Sequence, residues 1–77
     1  MQQVFRRHLL ACSRLTDEGS ADIACDEFIR VVLDADIAER PTANGVLDIL
    51  VGGRVRLPLA QRFVDRFEAG VWNGQHR

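Results

Sequence analysis

The stretch DILVGGRVRLPL, residues 48–59, decides the fold, because it is compatible with two different structures. In the first, Gly52 or Gly53 ends one helix and Pro58 begins the next. Glycine is the usual residue at a helix C-terminus, and proline fits the first helical position. The apolar residues before the glycines would then face the core, and residues 54–57 would form an extended connector. We favour this helical interpretation.

The alternative is a β-hairpin over residues 46–57, which would make the protein α+β. A three-residue loop pairs Ile49 with Val55 on one face and Asp48 with Arg56 on the other. Such loops require a left-handed residue, which would be Gly53. Short apolar runs do not separate the two structures, so the hairpin stays open as an alternative.

Helical spacing of apolar residues dominates the rest of the chain. It predicts an all-α bundle of four short helices, at about residues 3–16, 21–38, 44–51 and 58–69, in one domain over residues 1–77 with a tail at 71–77. Three of the four segments carry a clear buried stripe. The predicted stripes are Val4, Phe5, Leu9, Cys12 and Leu15; Ala21, Ala24, Cys25, Phe28, Val31, Val32 and Ala35; and Leu59, Ala60, Phe63, Val64 and Phe67.

Local signals predict where the helices begin and end. Gly19 would end the first helix and Ser20 would cap the second, which Pro41 closes. Pro58 would start the last helix and Gly70 would end it.

Composition is that of an ordinary soluble globular domain, with 47% hydrophobic and 27% charged residues. No apolar run is long enough to cross a bilayer, and the N-terminal segment does not resemble a signal peptide. We therefore expect a cytoplasmic protein with no membrane partner.

The charge is segregated although the net charge is only −1. Residues 1–16 contain three arginines and no acid, residues 17–48 contain nine of the eleven acids, and residues 49–77 contain five arginines. Acidic and basic segments of two copies could pair, which predicts a homodimer as one outcome. The near-neutral total argues against strong non-specific binding to nucleic acid.

The arginines of the last segment form the main candidate binding site. Arg62 and Arg66 are one helical turn apart, and Arg54 and Arg56 precede their helix, which predicts an electropositive docking surface for an acidic partner or a phosphate. Trp72 would either add an aromatic anchor to this surface or fold back to cover the small core. Leu10 lies off the apolar stripe of the first helix and is a candidate exposed contact.

Catalytic and metal-binding patterns are weak. His8, Cys12 and Cys25 could approach one another, but they have no evident fourth ligand, and buried thiols more often act as small apolar groups. The acidic pairs lack a nucleophile, a histidine or a phosphate-binding loop. We expect no enzymatic activity, no metal and no cofactor.

Residues 37–60 weakly resemble the Cro/repressor-type helix-turn-helix family. Ile37-Ala38 would open the motif, residues 44–51 would form the recognition helix, and Gly53-Arg54 would stop it before the next helix. The resemblance implies a DNA-binding regulator that uses Asn44 and Arg54. Pro41 and Asn44-Gly45 depart from the family's tight turn, and Asp48 would repel phosphate.

Two functional hypotheses follow. The first is a small non-enzymatic regulatory or inhibitory protein, of the kind carried by mobile genetic elements, that acts by binding another protein. The second is a DNA-binding helix-turn-helix transcriptional regulator.

Overall fold

The computed structural model describes residues 3–35 and 41–75, which form an all-α bundle. The four α-helices are α1 (Gln3–Leu10), α2 (Glu18–Asp34), α3 (Ala43–Gly52) and α4 (Leu57–Gln75). A short 3-10 helix, Ala11–Arg14, follows α1. No strand occurs in the described ranges, so the helical interpretation of residues 48–59 is confirmed and the hairpin is wrong there.

The four phenylalanines of the chain meet in the core around Phe28. Its ring centroid lies 6.1 Å from that of Phe5, 5.9 Å from that of Phe63 and 5.3 Å from that of Phe67. These contacts tie α1, α2 and α4 together. The predicted stripe of α4 is buried in full, whereas Val4 of the α1 stripe is exposed.

Helices α2 and α4 lie side by side and run in the same direction. Asp22 contacts Arg62 and Asp26 contacts Arg66, so a step of four residues along α2 matches a step of four along α4. Parallel neighbours cannot be joined by a tight turn. The segment that separates them in the sequence contains α3, and the α3–α4 connection in residues 48–59 leads into α4.

The end of α4 corrects the prediction made from Gly70. The helix continues through Gly70 to Gln75, so residues 71–75 are helical rather than a tail. A methyl group at position 70 would overlap Cδ1 of Ile29 on α2. Gly70 thus serves close helix packing, a role that local sequence signals do not distinguish from a helix stop.

The other helix boundaries differ by a few residues. The α-helical part of the first segment ends at Leu10 because the backbone tightens to a 3-10 helix. The second helix begins at Glu18, with Gly19 inside it, because the carboxylate of Asp17 accepts the Ser20 N–H at 2.7 Å. Asp17 rather than Ser20 is therefore the N-cap. This helix ends at Asp34, and the predicted residues 36–38 lie outside the described ranges.

Candidate docking surface

The C-terminus of α3 ends in a Schellman motif with an arginine in the left-handed position. The N–H of Val55 donates to the carbonyl of Leu50 at 2.9 Å, and the N–H of Arg54 donates to that of Val51 at 3.0 Å. Val55 and Leu50 are both buried, which supplies the apolar contact typical of this motif. Arg54 has φ 72°, where glycine is the usual residue.

The left-handed residue is therefore not the one that the hairpin alternative assigned. Gly53 has φ −84°, a conformation open to any residue, while Arg54 next to it is left-handed. For a residue with a Cβ atom, this conformation costs roughly 1–2 kcal/mol. Arginine at this position therefore makes the fold less stable than glycine would.

Arg56 also occupies a position that does not suit arginine. Its carbonyl accepts the Ala60 N–H at 2.9 Å, which places Arg56 at the N-cap of α4. An N-cap prefers a small side chain that accepts a hydrogen bond, and the positive end of the helix dipole disfavours a cation. The first turn of α4 contains no acidic residue to offset this.

These two arginines and their exposed neighbours form what we call the connector surface. Its members are Val51, Gly52, Arg54, Arg56 and Leu57. Val51 is 44% exposed and Leu57 is 59% exposed, so apolar groups flank the two cations. A Cβ atom at Gly52 would meet no atom within 4 Å, so packing within the described chain does not require a glycine there.

A shallow cleft begins directly beyond the connector surface. It has a volume of about 530 Å³ and lies between the N-terminal parts of α2 and α4, where Pro58 and Leu59 supply apolar lining. Glu18, Arg62 and Asp65 supply charges of both signs. The cleft thus extends the apolar part of the connector surface without adding to its positive charge.

The other two arginines of the predicted basic site are paired with carboxylates. Arg62 donates from Nε and Nη2 to Asp22 at 3.0 and 2.9 Å, and Arg66 donates in the same way to Asp26 at 2.8 and 3.0 Å. Arg62 also lies 3.5 Å from Glu18. The structure thus divides the four arginines into two that bridge helices and two on the connector surface.

These pairs shift the titration of the acidic groups. The hydrogen bond from Arg62 lowers the pKa of Asp22, and the hydrogen bond from Arg66 lowers the pKa of Asp26. Both carboxylates therefore stay ionised further into acid than free ones. Because they are already paired within the chain, fewer acids remain for the homodimer predicted from charge segregation, which stays a prediction.

The remaining predicted binding residues lie apart from the connector surface. Asn44 is exposed near the N-terminus of α3, at the opposite end of that helix from Arg54. Trp72 lies within α4, but its side chain is not among the parts of the chain that the structure describes. Leu10 is exposed on α1, as predicted.

The two cysteines are buried free thiols. Cys12 Sγ lies 3.4 Å from the His8 carbonyl, and Cys25 Sγ lies 3.2 Å from the Phe63 carbonyl. Burial raises the pKa of Cys25 to about 12, which keeps it protonated and unreactive. The His8 ring packs on Phe28 at 5.7 Å. Across residues 3–35 and 41–75, no three acidic, histidine or cysteine groups are arranged to hold a metal ion.

Comparison with known proteins gives no relative: no family model, curated protein or solved structure matches this chain. None of the helices described here is both long and apolar enough to span a bilayer.

Two features of the site were missed by sequence reasoning. Asp22 and Asp26 are one helical turn apart, and so are Arg62 and Arg66. Because each set lies beside a buried stripe, this matched spacing is a sequence signal for the ion pairs between them. No sequence signal predicts the left-handed conformation of Arg54, since either of the two preceding glycines would be expected to adopt it.

Proposed function

We propose that this chain is a small non-enzymatic regulatory protein that acts by binding another protein, and that it docks through the connector surface. The observation that carries the proposal is that Arg54 and Arg56 both occupy positions where arginine costs stability. Residues that oppose local structural preference concentrate at functional sites. Their exposed side chains are the part of these residues that a partner can use.

The charges of this surface define the chemistry of the partner. Neither Arg54 nor Arg56 has a carboxylate within 4.0 Å among the described residues, whereas Arg62 has two and Arg66 has one. A partner segment with two carboxylates would supply what is missing, and arginine binds carboxylate in a bidentate geometry. Val51 and Leu57 would receive an apolar side chain of the same segment. The partner is therefore an acidic protein segment with an apolar anchor.

Gly52 supports docking at this surface. Gly52 is the last residue of α3, and nothing in the described chain crowds this position, so internal packing does not require a glycine there. The absent side chain lets a partner approach the backbone of α3 closely.

The experiment is affinity capture from an extract of the native host with the wild-type chain, the double variant R54G/R56S and the control variant R30S. Arg30 is an exposed arginine on α2, remote in sequence from the connector. The proposal expects a protein that the wild type and R30S retain and that R54G/R56S loses. A partner captured equally by all three chains, or no specific partner at all, would overturn it.

DNA binding by a helix-turn-helix stays a prediction. It requires salt-sensitive binding to duplex DNA that is lost when Asn44 and Arg54 are changed. The exposed carboxylate of Asp48 lies on α3 between these two residues and would face phosphate. Retardation of a duplex at low salt by the wild type but not by N44A/R54G would support this alternative against the protein-binding proposal.

A further inference from the structure

Helix α1 carries a second surface that the connector does not include. Gln3, Arg6, Arg7 and Leu10 line a cleft of about 230 Å³ on its outward side, and these four residues are the α1 surface. Phe5 and Leu9 on the opposite side are 1% exposed and fix the helix to the core. The outward residues are therefore presented from an anchored helix.

The α1 surface is positive and has no acid of its own. Arg6 and Arg7 are exposed, and neither has a carboxylate within 4.0 Å among the described residues. The first acidic residue in the chain is Asp17. This contrasts with α4, where the acids of α2 pair with Arg62 and Arg66. Within residues 3–35 and 41–75, the α1 charges are thus available to another molecule.

An apolar group lies among these charges. Leu10 is 45% exposed although its neighbour Leu9 is buried, and Leu10 follows Arg6 and Arg7 by one helical turn. An apolar side chain in the cleft would contact Leu10 while carboxylates reach the two guanidinium groups. The phosphate backbone of a nucleic acid has no apolar group that would pack against Leu10. A membrane surface would need more apolar area than α1 exposes, because its main apolar side is buried.

From this arrangement we infer that the α1 surface is a second docking site, and that it takes an acidic amphipathic helix of a partner protein. The helix places a leucine in the cleft against Leu10 and glutamates one turn away against Arg6 and Arg7. This site is separate from the connector surface, and it stands or falls independently of the function proposed for that surface.

Fluorescence anisotropy with a labelled synthetic helix tests the inference. The probe is a peptide of about four turns with leucines two turns apart and glutamates one turn from each. The binding variants are L10S and R6S/R7S. The matched controls are I23S, which changes an apolar residue 64% exposed on α2, and R30S, which changes an exposed arginine of the same helix. Circular dichroism verifies that each variant is folded.

The wild type is expected to bind the probe, and L10S and R6S/R7S are expected to weaken binding at least about tenfold, a change of about 1.4 kcal/mol. I23S and R30S are expected to bind like the wild type. Any of four results would overturn the inference: no binding of the probe, equal loss in the two control variants, tighter binding to duplex DNA or phosphatidylserine vesicles than to the peptide, or binding that R54G/R56S abolishes while L10S and R6S/R7S leave it unchanged. The last result would assign the peptide to the connector surface.

Discussion

The guanidinium of Arg66 on α4 forms a two-pronged hydrogen bond with the carboxylate of Asp26 on α2, at 2.8 and 3.0 Å. Arg62 and Asp22 repeat this contact one turn earlier at 3.0 and 2.9 Å. The two pairs connect the acidic middle of the chain to its C-terminal, arginine-containing segment. These charges are thus part of the folded structure and are not left free for a partner.

The first prediction concerns the Arg66 pair. R66Q removes both hydrogen bonds to Asp26, so its thermal unfolding midpoint should fall below that of the wild type. R14Q removes an exposed arginine that has no carboxylate within 4.0 Å among the described residues, and it should leave the midpoint nearly unchanged. The double variant D26N/R66Q should lose less than the sum of the two single changes, because the partners share one interaction. Additive losses would show that the pair contributes nothing to stability.

The second prediction concerns acid. The folded state lowers the pKa of Asp22 and of Asp26, so these groups contribute stability above the pKa of a free aspartate, about 3.9. That contribution is lost as the pH falls through their lowered folded values. The free energy of unfolding of the wild type should therefore decrease more steeply below about pH 4 than that of D22N/D26N. Denaturant unfolding at several pH values measures this, and identical slopes would contradict it.

The third prediction concerns the close packing of Gly70 against Ile29. Alanine at a helical glycine normally stabilises by roughly 1 kcal/mol, and G70A should show more of this gain when Ile29 is shortened than in the wild-type background. In the wild-type background the added methyl overlaps Cδ1 of Ile29 and lies 3.3 Å from its Cγ1. A double-mutant cycle with I29A, measured by denaturant unfolding, should show that G70A stabilises the I29A variant more than it stabilises the wild type. The same effect of G70A in both backgrounds would exclude the contact.

The fourth prediction concerns the stability of the connector. R54G removes the strain of a left-handed arginine and should stabilise the fold by about 0.5–1 kcal/mol, after allowing for the greater freedom of glycine in the unfolded chain. R56S supplies a side-chain acceptor at the N-cap of α4 and should stabilise by about 1 kcal/mol. Denaturant unfolding of each variant measures these gains, and a loss of stability in both would contradict the description of the connector.

Sequence reasoning succeeded where a periodic apolar stripe decides the structure. The core positions of α2 and α4 follow directly from the spacing of Phe28 and Phe63 with their neighbours, because burial dominates the energetics. It failed where a glycine has two uses. Gly70 provides close packing rather than a helix stop, and the glycines at 52 and 53 precede the left-handed residue. These distinctions depend on which helix lies opposite, which the local sequence does not contain.

In the candidate site, too, some features follow from the local sequence and others depend on how the helices pack. The exposure of Arg54 and Arg56 follows from the helical interpretation of residues 48–59. The engagement of Arg62 and Arg66 does not, because it depends on the parallel arrangement of α2 and α4.

The role of the connector surface is tested most directly by the affinity of R54G/R56S for the partner captured by the wild type, measured by calorimetric titration beside the unfolding stability of the variant. This variant is expected to be more stable than the wild type and to bind at least about tenfold more weakly, since the two arginines serve binding at a cost in stability. A variant that is more stable and binds as tightly as the wild type would contradict the proposed role.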